Sequence, residues 1–588
     1  MARIFLFLIA SSLLAQSVLS IAPSGDRPAP SAVCPECPAL AALDGFGLDP
    51  LVSIRFSAPV NPDLWRDRVF IEWGASRQTD TFPTYPTGYR MPLGRLAWDP
   101  VNNTLYARPD DPLDHDRDYR IVVTDGTREL AATRFHTANI TRPLLERRLG
   151  PAGSLRRDLD NPIDLSRVRS LRARTQIAAD PAAPLVDVPF PAEVGFLTQL
   201  GLRRLVFLTY ESPRGDRIGV HAWLPNSPKP AAGWPVKLIG HGLGDSRLLG
   251  PTLFSSGFIG ESVVMAIDAV GHGQGPNSRI RFEFTDGATT EVPLYGRGRD
   301  LNADGRIDPA EGCIVVAPGN VDFLNNCLRE TALDYAKLVR EIQQNIDLDG
   351  DRVPDLNPNS IQYLGQSLGA MYGTLLTAIE PSIDAAVLNV GGGSASEIAR
   401  TSTSLSGIVT SYVAASYPLL VGVTDPRPAR FAPTITITPR QAQLLEVFDR
   451  LATLETPTAP ASFAPLLKQG TLYGSPIKRV LFQIALGDQT VPNNANTQLI
   501  RAAHEYELVS LYRHDLARRA VPALPENPHA YLAGFGQFDP PNLLIALATL
   551  QQANLFLSSP AREVPDVNGL VRILFRTNLF ETPERLPE

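Results

Sequence analysis

Between about Leu48 and Thr137 the apolar residues fall on alternate positions and no helical period emerges. In VSIRFSAPV, Val52, Ile54 and Phe56 share one face. RVFIEW (68–73) supplies a second strand, and residues 103–126 supply two more around an Asp/Pro-rich connection. This stretch predicts a small β-sandwich. From Arg203 the pattern changes. Alternating strands flank a Pro-Arg-Gly-Asp turn (213–216). Then Trp234 to Ile239 and SVVMAIDAV (262–270) read as buried strands that run straight into glycine-rich loops. Strands ending in such loops and alternating with helical stretches are how a mostly parallel sheet is written, and ligands bind at the carboxyl ends of its strands.

Later strands follow at 360–364, 384–390 and 479–486, and a long helical run, 539–557, comes near the end. Between the second and third of these lies an insertion, 394–478, far longer than an ordinary connection, which reads as a cap. Its stretch from Thr401 to Thr424 carries no charge. Pro418 and many Ser, Thr and Tyr residues count against a membrane span, leaving either an apolar lid over an acyl pocket or core packing within the cap. Residues 138–200 are rich in Arg (Arg142, Arg147, Arg148, Arg156, Arg157, Arg167, Arg169, Arg172 and Arg174) and read as a connector with solvated charges rather than a functional surface.

Composition alters this picture little. The chain has 588 residues, 44% hydrophobic and 20% charged, which is room for two or three globular domains, and its net charge of -7 excludes a broad nucleic-acid surface. Residues 1–22 carry Arg3, an apolar core and then small residues, the pattern of a secretory signal peptide, so a secreted, cell-surface or periplasmic location is expected. Four cysteines in an exported chain permit disulfides. The favoured pairing joins Cys313 to Cys327, with Cys34 and Cys37 as a local clip or unpaired. The expected domains are a leader (1–22), a linker (23–47), the sandwich (48–137), the connector (138–200), a catalytic domain (201–560) with its cap, and a tail (561–588).

Candidate chemistry centres on SIQYLGQSLGAMYG (360–373): a short apolar strand, Gly365-Gln366-Ser367-Leu368-Gly369, then a helix-compatible segment. A serine on so sharp a turn has an exposed hydroxyl near a helix N-terminus and suits a nucleophile. Gly-x-Ser-x-Gly alone is a weak signal, and its weight comes from company in the right order. Upstream, Gly240-His241-Gly242-Leu243-Gly244-Asp245 lets backbone N–H groups near Leu243 and Gly244 join that of Leu368 as an oxyanion hole. Downstream, Asp488 ends a strand in Gly487-Asp488-Gln489-Thr490-Val491-Pro492, placed to orient a histidine. His529, between the last strand and the last helix, is the chosen base, and His514 at the end of LVSLYRH is the alternative.

Two acidic loops look like cation sites. The first has oxygen ligands at positions 1, 3, 5, 9 and 12 of a calcium loop of EF-hand type: Asp300, Asn302, Asp304, Asp308 and Glu311. Arg306 stands at position 7 and Gly305 at position 6. The second and looser set is Asp347, Asp349, Asp351 and Asp355. A solvated turn is the alternative at each, and a bound Ca2+ would be structural.

On the elbow and on the Gly-Asp-Gln-Thr-Val-Pro loop, residues 200–560 resemble an α/β-hydrolase of the lipase and esterase kind. With the leader, the β-rich N-terminal part and the Asp-rich loops, the whole resembles the bacterial extracellular or surface lipases called virulence-factor lipases, which include lysophospholipase-like members. Ala370 stands where many members have another glycine. The β-rich part resembles bacterial Ig-like domains, through Asn103-Thr104-Leu105, the Pro112-Leu113 turn and Tyr119. The resemblance implies an α/β fold with a cap, preceded by an Ig-like sandwich. It also implies a serine carboxylic-ester hydrolase acting on lipid or other esters, with peripheral contact to a lipid surface. A peptidase of the prolyl-oligopeptidase type and a non-catalytic, calcium-binding adhesin are the rivals.

Overall fold

The computed structural model describes residues 17–23, 25, 35–76, 84–140, 151–190, 194–199, 201–249, 261–308, 311–313, 321–430, 432–469, 477–536 and 539–587. Cys34, the first part of the expected leader and part of the Arg-rich stretch lie outside them. The chain divides into two compact units. One comprises Met1–Thr141, Ala317–Val321 and Val409–Pro457; the other comprises Arg142–Val316, Asp322–Ile408 and Thr458–Glu588.

The first unit is antiparallel β structure. Strands lie in the order Val18–Ala22, Val52–Phe56, Thr104–Pro109, Arg90–Asp99, Val69–Ser76, Arg117–Thr124 and Glu129–His136. Arg90–Asp99 belongs to two pairings. Its first residues meet Val69–Ser76 and the rest meet Thr104–Pro109, with a register shift between Gly94 and Ala97 where Arg95 takes φ 50°. The alternation seen in sequence sends Val52, Ile54, Phe56, Ile71, Trp73 and Tyr119 into one core. The Tyr119 hydroxyl accepts from the Asp114 N–H at 2.8 Å and faces the Asp114 carbonyl at 3.3 Å, closing the turn ahead of its own strand. Val18–Ala22, the end of the expected leader, is a strand paired with Val52–Phe56.

The middle of the insertion expected as a cap belongs to this first unit. Ile435–Thr436 pairs in parallel with Arg90–Asp99, and the helix Pro439–Glu455, opened by a Thr438/Gln441 capping box, sets Ala442 and Leu445 against Ala97 and Tyr106. Helical periodicity shows that such a helix has an apolar face but not which surface that face covers.

In the second unit we label the strands β1 (Leu202–Glu211), β2 (Arg217–Pro225), β3 (Trp234–Gly240), β4 (Val263–Ile267), β5 (Leu356–Gln366), β6 (Ile383–Asn389), β7 (Arg479–Ala485) and β8 (Val509–Tyr512). They lie in the order β1-β2-β4-β3-β5-β6-β7-β8, with β2 antiparallel to its neighbours and β3 through β8 mutually parallel. This is the sheet of an α/β-hydrolase fold. β4 is apolar and buried at all five residues, as expected of a strand in a parallel sheet covered by helices on both faces. The helices that matter for the site are α1 (Val321–Ile342), α2 (Leu368–Ile379), α3 (Asn493–Ala503) and α4 (Pro540–Ser558).

Segments read as connector and tail extend this unit. Arg156–Arg157 and Ile163–Asp164 pair with β1, and Phe580–Glu581 pairs with β8. Val168–Thr175 enters a separate four-stranded sheet with Val186–Pro189, Arg279–Phe284 and Thr289–Pro293. It buries Val168, Leu171 and Ala173, while Arg169 pairs with Glu283, and Arg174 with Glu291 at 2.7 Å. The arginines masked a strand alternation that was present in the sequence. Among the described residues no helix is long and apolar enough to cross a membrane.

Candidate active site

Ser367 stands between β5 and α2 with φ 56° and ψ -116°, a conformation side chains rarely hold unless the surroundings enforce it. Its flanking glycines are required by contact. A Cβ at Gly365 would meet the Gly369 carbonyl at 2.2 Å, and one at Gly369 would meet the Gly240 carbonyl at 2.1 Å. The Ser367 N–H donates to the Asn389 carbonyl at 2.8 Å, tying the elbow to the end of β6. Tyr363 anchors it from behind, its hydroxyl donating to the Gly369 carbonyl at 2.6 Å.

Asp488 follows β7 and His529 lies between β8 and α4. Across 162 positions of sequence the structure brings His529 Nε2 to 2.8 Å from Ser367 Oγ, and His529 Nδ1 lies 2.7 Å from Asp488 Oδ2. The other Asp488 oxygen accepts the N–H groups of Thr490 and Val491, at 2.8 and 2.9 Å, so the carboxylate is aimed by its own loop. Its side chain is fully buried. His529 Nδ1–H donates to this carboxylate, which leaves Nε2 free to take a proton. His514 is held elsewhere: its Nε2–H donates to the Pro525 carbonyl, and Nδ1 faces the Tyr512 hydroxyl.

Asn527 joins the two loops and escaped sequence reasoning. Its side-chain oxygen accepts from the N–H groups of Gln489 and His529, at 3.1 and 3.2 Å, and its amide donates to Thr490 Oγ1 at 2.9 Å. Asn before Pro reads simply as a turn, so only chain position beside His529 offered a signal.

The loop after β3 lies against the serine. A Cβ on Gly242 would come within 2.6 Å of Gln366 Oε1 and 3.5 Å of the Ser367 Cβ. The Gly242 carbonyl accepts from the His241 Nδ1–H at 2.9 Å and from the Asp245 N–H at 3.2 Å. Because C=O and N–H point oppositely across a trans peptide, this turns the Leu243 N–H away from His241. Leu243 is half-buried, and Gly244 is exposed with φ 80°. His241 Nε2 accepts the Ala269 N–H at 2.9 Å, and burial lowers its pKa to about 4, so the ring is a neutral staple. Leu368 opens α2 and is buried, its N–H at the positive end of the helix dipole. Asp245 has its pKa raised to about 6 by burial.

The disulfide between Cys313 and Cys327 is present, with Cα atoms 5.6 Å apart. Carboxylate oxygens of Asp300, Asp304 and Glu311 lie within 4.8 Å of one another, as do those of Asp347, Asp349 and Asp355. Asn302 caps its own loop, its side-chain oxygen accepting the Asp304 N–H at 2.9 Å. Arg306 donates its N–H to Asp304 Oδ1 at 2.8 Å, and Asp308 follows on the same loop. Asp351 accepts the Val353 N–H and stands apart from the second trio.

No family model matches the chain. No curated protein matches its sequence. Among solved structures it is similar to acetyl xylan esterase 1 from Thermoanaerobacterium sp. JW/SL YS485, at 16% identity over 58% of this chain and 80% of that one, with a TM-score of 0.30. It is also similar to a thermostable esterase from Pseudomonas putida ECU1011, at 12% over 61% and 82%, with a TM-score of 0.31. A third is a Pyrobaculum calidifontis esterase, at 13% over 62% and 88%, with a TM-score of 0.32. Likenesses this distant assign no substrate.

Proposed function

We propose that this chain is an exported serine hydrolase of carboxylic esters, of the lipase and esterase kind. The observation that carries the reading is the continuous hydrogen-bonded path from Ser367 Oγ through His529 to Asp488. His529 takes the serine proton as Oγ attacks the ester carbonyl. Asp488 holds the tautomer and stabilises the imidazolium that forms. The N–H groups of Leu243 and Leu368 receive the oxyanion, with that of Gly244 as a further candidate donor. His529 then protonates the departing alcohol, and water, activated by the same ring, releases the acid.

We read the first unit as an Ig-like module. Its strand order corresponds to the two sheets of a constant-type Ig domain. A buried Trp73 on the third strand and the Tyr119 hydroxyl bonded back to Asp114 support the reading. The uncharged stretch 401–424, with Leu419 80% and Val421 52% exposed, supports an ester presented at a lipid surface, lysophospholipids included.

Wild type is expected to hydrolyse p-nitrophenyl acyl esters and to be labelled at Ser367 by a fluorophosphonate. Ser367→Ala should lose both, with kcat falling about 10,000-fold or more. Full activity in Ser367→Ala would overturn the assignment.

A further inference from the structure

Two loops of the second unit gather carboxylates, and they differ in what answers the charge. Around Asp347, Asp349 and Asp355 the protein supplies its own cations. Lys229 Nζ lies 2.8 Å from Asp355 Oδ1, and Arg204 Nη1 lies 3.1 Å from Asp349 Oδ2. The second Asp355 oxygen accepts the N–H groups of Leu348 and Asp349, so this fully buried carboxylate is satisfied. That arrangement has no need of an ion.

Around Asp300, Asp304 and Glu311 no Lys, Arg or His side chain of the described residues forms an ion pair with any of the three. Glu311 is only 5% exposed. Its Oε2 accepts the Leu301 N–H at 2.6 Å and the Asn302 N–H at 3.3 Å, while Oε1 is buried with no hydrogen-bond partner. An orphaned carboxylate oxygen, buried and within reach of two more carboxylates, is costly unless a cation meets it. The spacing fits one cation in particular. Carboxylates stand at positions 1, 5 and 12 of a twelve-residue loop, and Gly305 at position 6 takes φ 86°. The residue after position 7, Ile307, donates its N–H to the Ile177 carbonyl at 2.9 Å, and Ala179 donates to the Gly305 carbonyl at 3.0 Å. Between these two bonds Arg306 faces Ala178 in an antiparallel bridge.

We propose that Asp300–Glu311 is a calcium site, with Asp300, Asp304 and the buried Glu311 as its charged ligands. Asn302 and the Arg306 carbonyl are the oxygens placed to complete it. An ion here would fasten the 177–179 segment to the catalytic unit. It would also hold the Glu311-Gly312-Cys313 turn, whose Gly312 lies so close to Gly271 that a Cβ there would meet the Gly271 carbonyl carbon at 2.5 Å. The site is a brace for the loop that follows β4. It stands independently of the esterase assignment, because its signature is ion uptake rather than turnover.

The test is calcium titration of the full chain after treatment with a chelator, read by calorimetry and by thermal unfolding. Wild type should take up calcium and gain on the order of 5 °C in Tm at about 100-fold excess over Kd, with Mg2+ a poor substitute. Asp304→Asn, at an exposed position, and Glu311→Gln should each lose that uptake and the Tm gain. Asp351→Asn in the other loop should keep both. A folded wild type that takes up no calcium would overturn the proposal. So would unchanged uptake in Asp304→Asn and Glu311→Gln, or loss of uptake in Asp351→Asn.

Discussion

His529 and His241 both stand beyond the carboxyl ends of strands in one sheet, and the protein puts them to opposite uses. His529 spans two side chains, so that in the proposed mechanism Nε2 faces the Ser367 hydroxyl that gives up its proton and Nδ1 faces the Asp488 carboxylate that steadies the imidazolium. His241 spans two backbone groups, the Gly242 carbonyl and the Ala269 N–H, neither of which can give or take a proton at ordinary pH. Burial lowers the His241 pKa to about 4 and keeps it neutral. What separates the proposed general base from a staple is therefore the chemistry of the partners and not the ring itself.

The largest effect should come from breaking the side-chain partnership. Asp488→Asn keeps the shape of the acid but offers His529 a group that can donate, favouring the wrong tautomer. We expect kcat for ester hydrolysis to fall about 10,000-fold, while fluorophosphonate labelling of Ser367 slows in parallel. A loss of less than tenfold would mean that the carboxylate does not hold the imidazole during turnover.

A smaller effect should come from breaking the backbone partnership. His241→Ala removes one of the two hydrogen bonds to the Gly242 carbonyl, leaving that from the Asp245 N–H, and so loosens the Gly242–Leu243 peptide, weakening one proposed oxyanion donor without touching the proton path. The expected loss is on the order of 10- to 100-fold in kcat with KM little changed, below the cost of deleting a donor outright. His241→Asn retains a donor near the position of Nδ1 and should recover part of the rate. If the two variants lose activity and Tm together, with no recovery in Asn, His241 is a packing residue and the contrast with His529 narrows.

Much of this contrast could be read before the fold was known, and the reason is local. The elbow demands glycines on both sides of Ser367 whatever surrounds it, and Asp488 leaves its strand in a loop whose own N–H groups aim it. The choice between His529 and His514 was harder. Both leave the neighbourhood of the last strand, and only the Tyr512 and Pro525 contacts show that His514 is already engaged. Asn527 was hidden because the two partners that tie it to the other loop lie 37 and 38 residues away. At the level of fold, the alternation of the N-terminal strands was plain. The destination of Pro439–Glu455 was not, because an apolar helix face is equally suited to a lid and to the flank of a distant β unit. The strand at Val168–Thr175 was obscured by arginines that pair with acids more than a hundred positions away.

The smallest effect isolates side-chain charge on the same loop. The Asp245 N–H bonds to the Gly242 carbonyl, so Asp245→Asn leaves the His241 staple in place and changes only the carboxyl group. Burial raises that carboxyl from 3.8 to about 6, which means the folded chain binds its proton more tightly than the unfolded chain does. Stability must then fall as pH rises from about 4 through about 6 and stay lowered above that. Asn carries no such penalty. Unfolding by urea at pH 4 should therefore find variant and wild type nearly equal, and at pH 7.5 the variant should be more stable by roughly 2 kcal/mol, after allowance for partial solvent screening. Equal stability at both values would show that this carboxylate is better solvated than its loop position implies, and that the His241 segment opens more readily than its backbone bonds require.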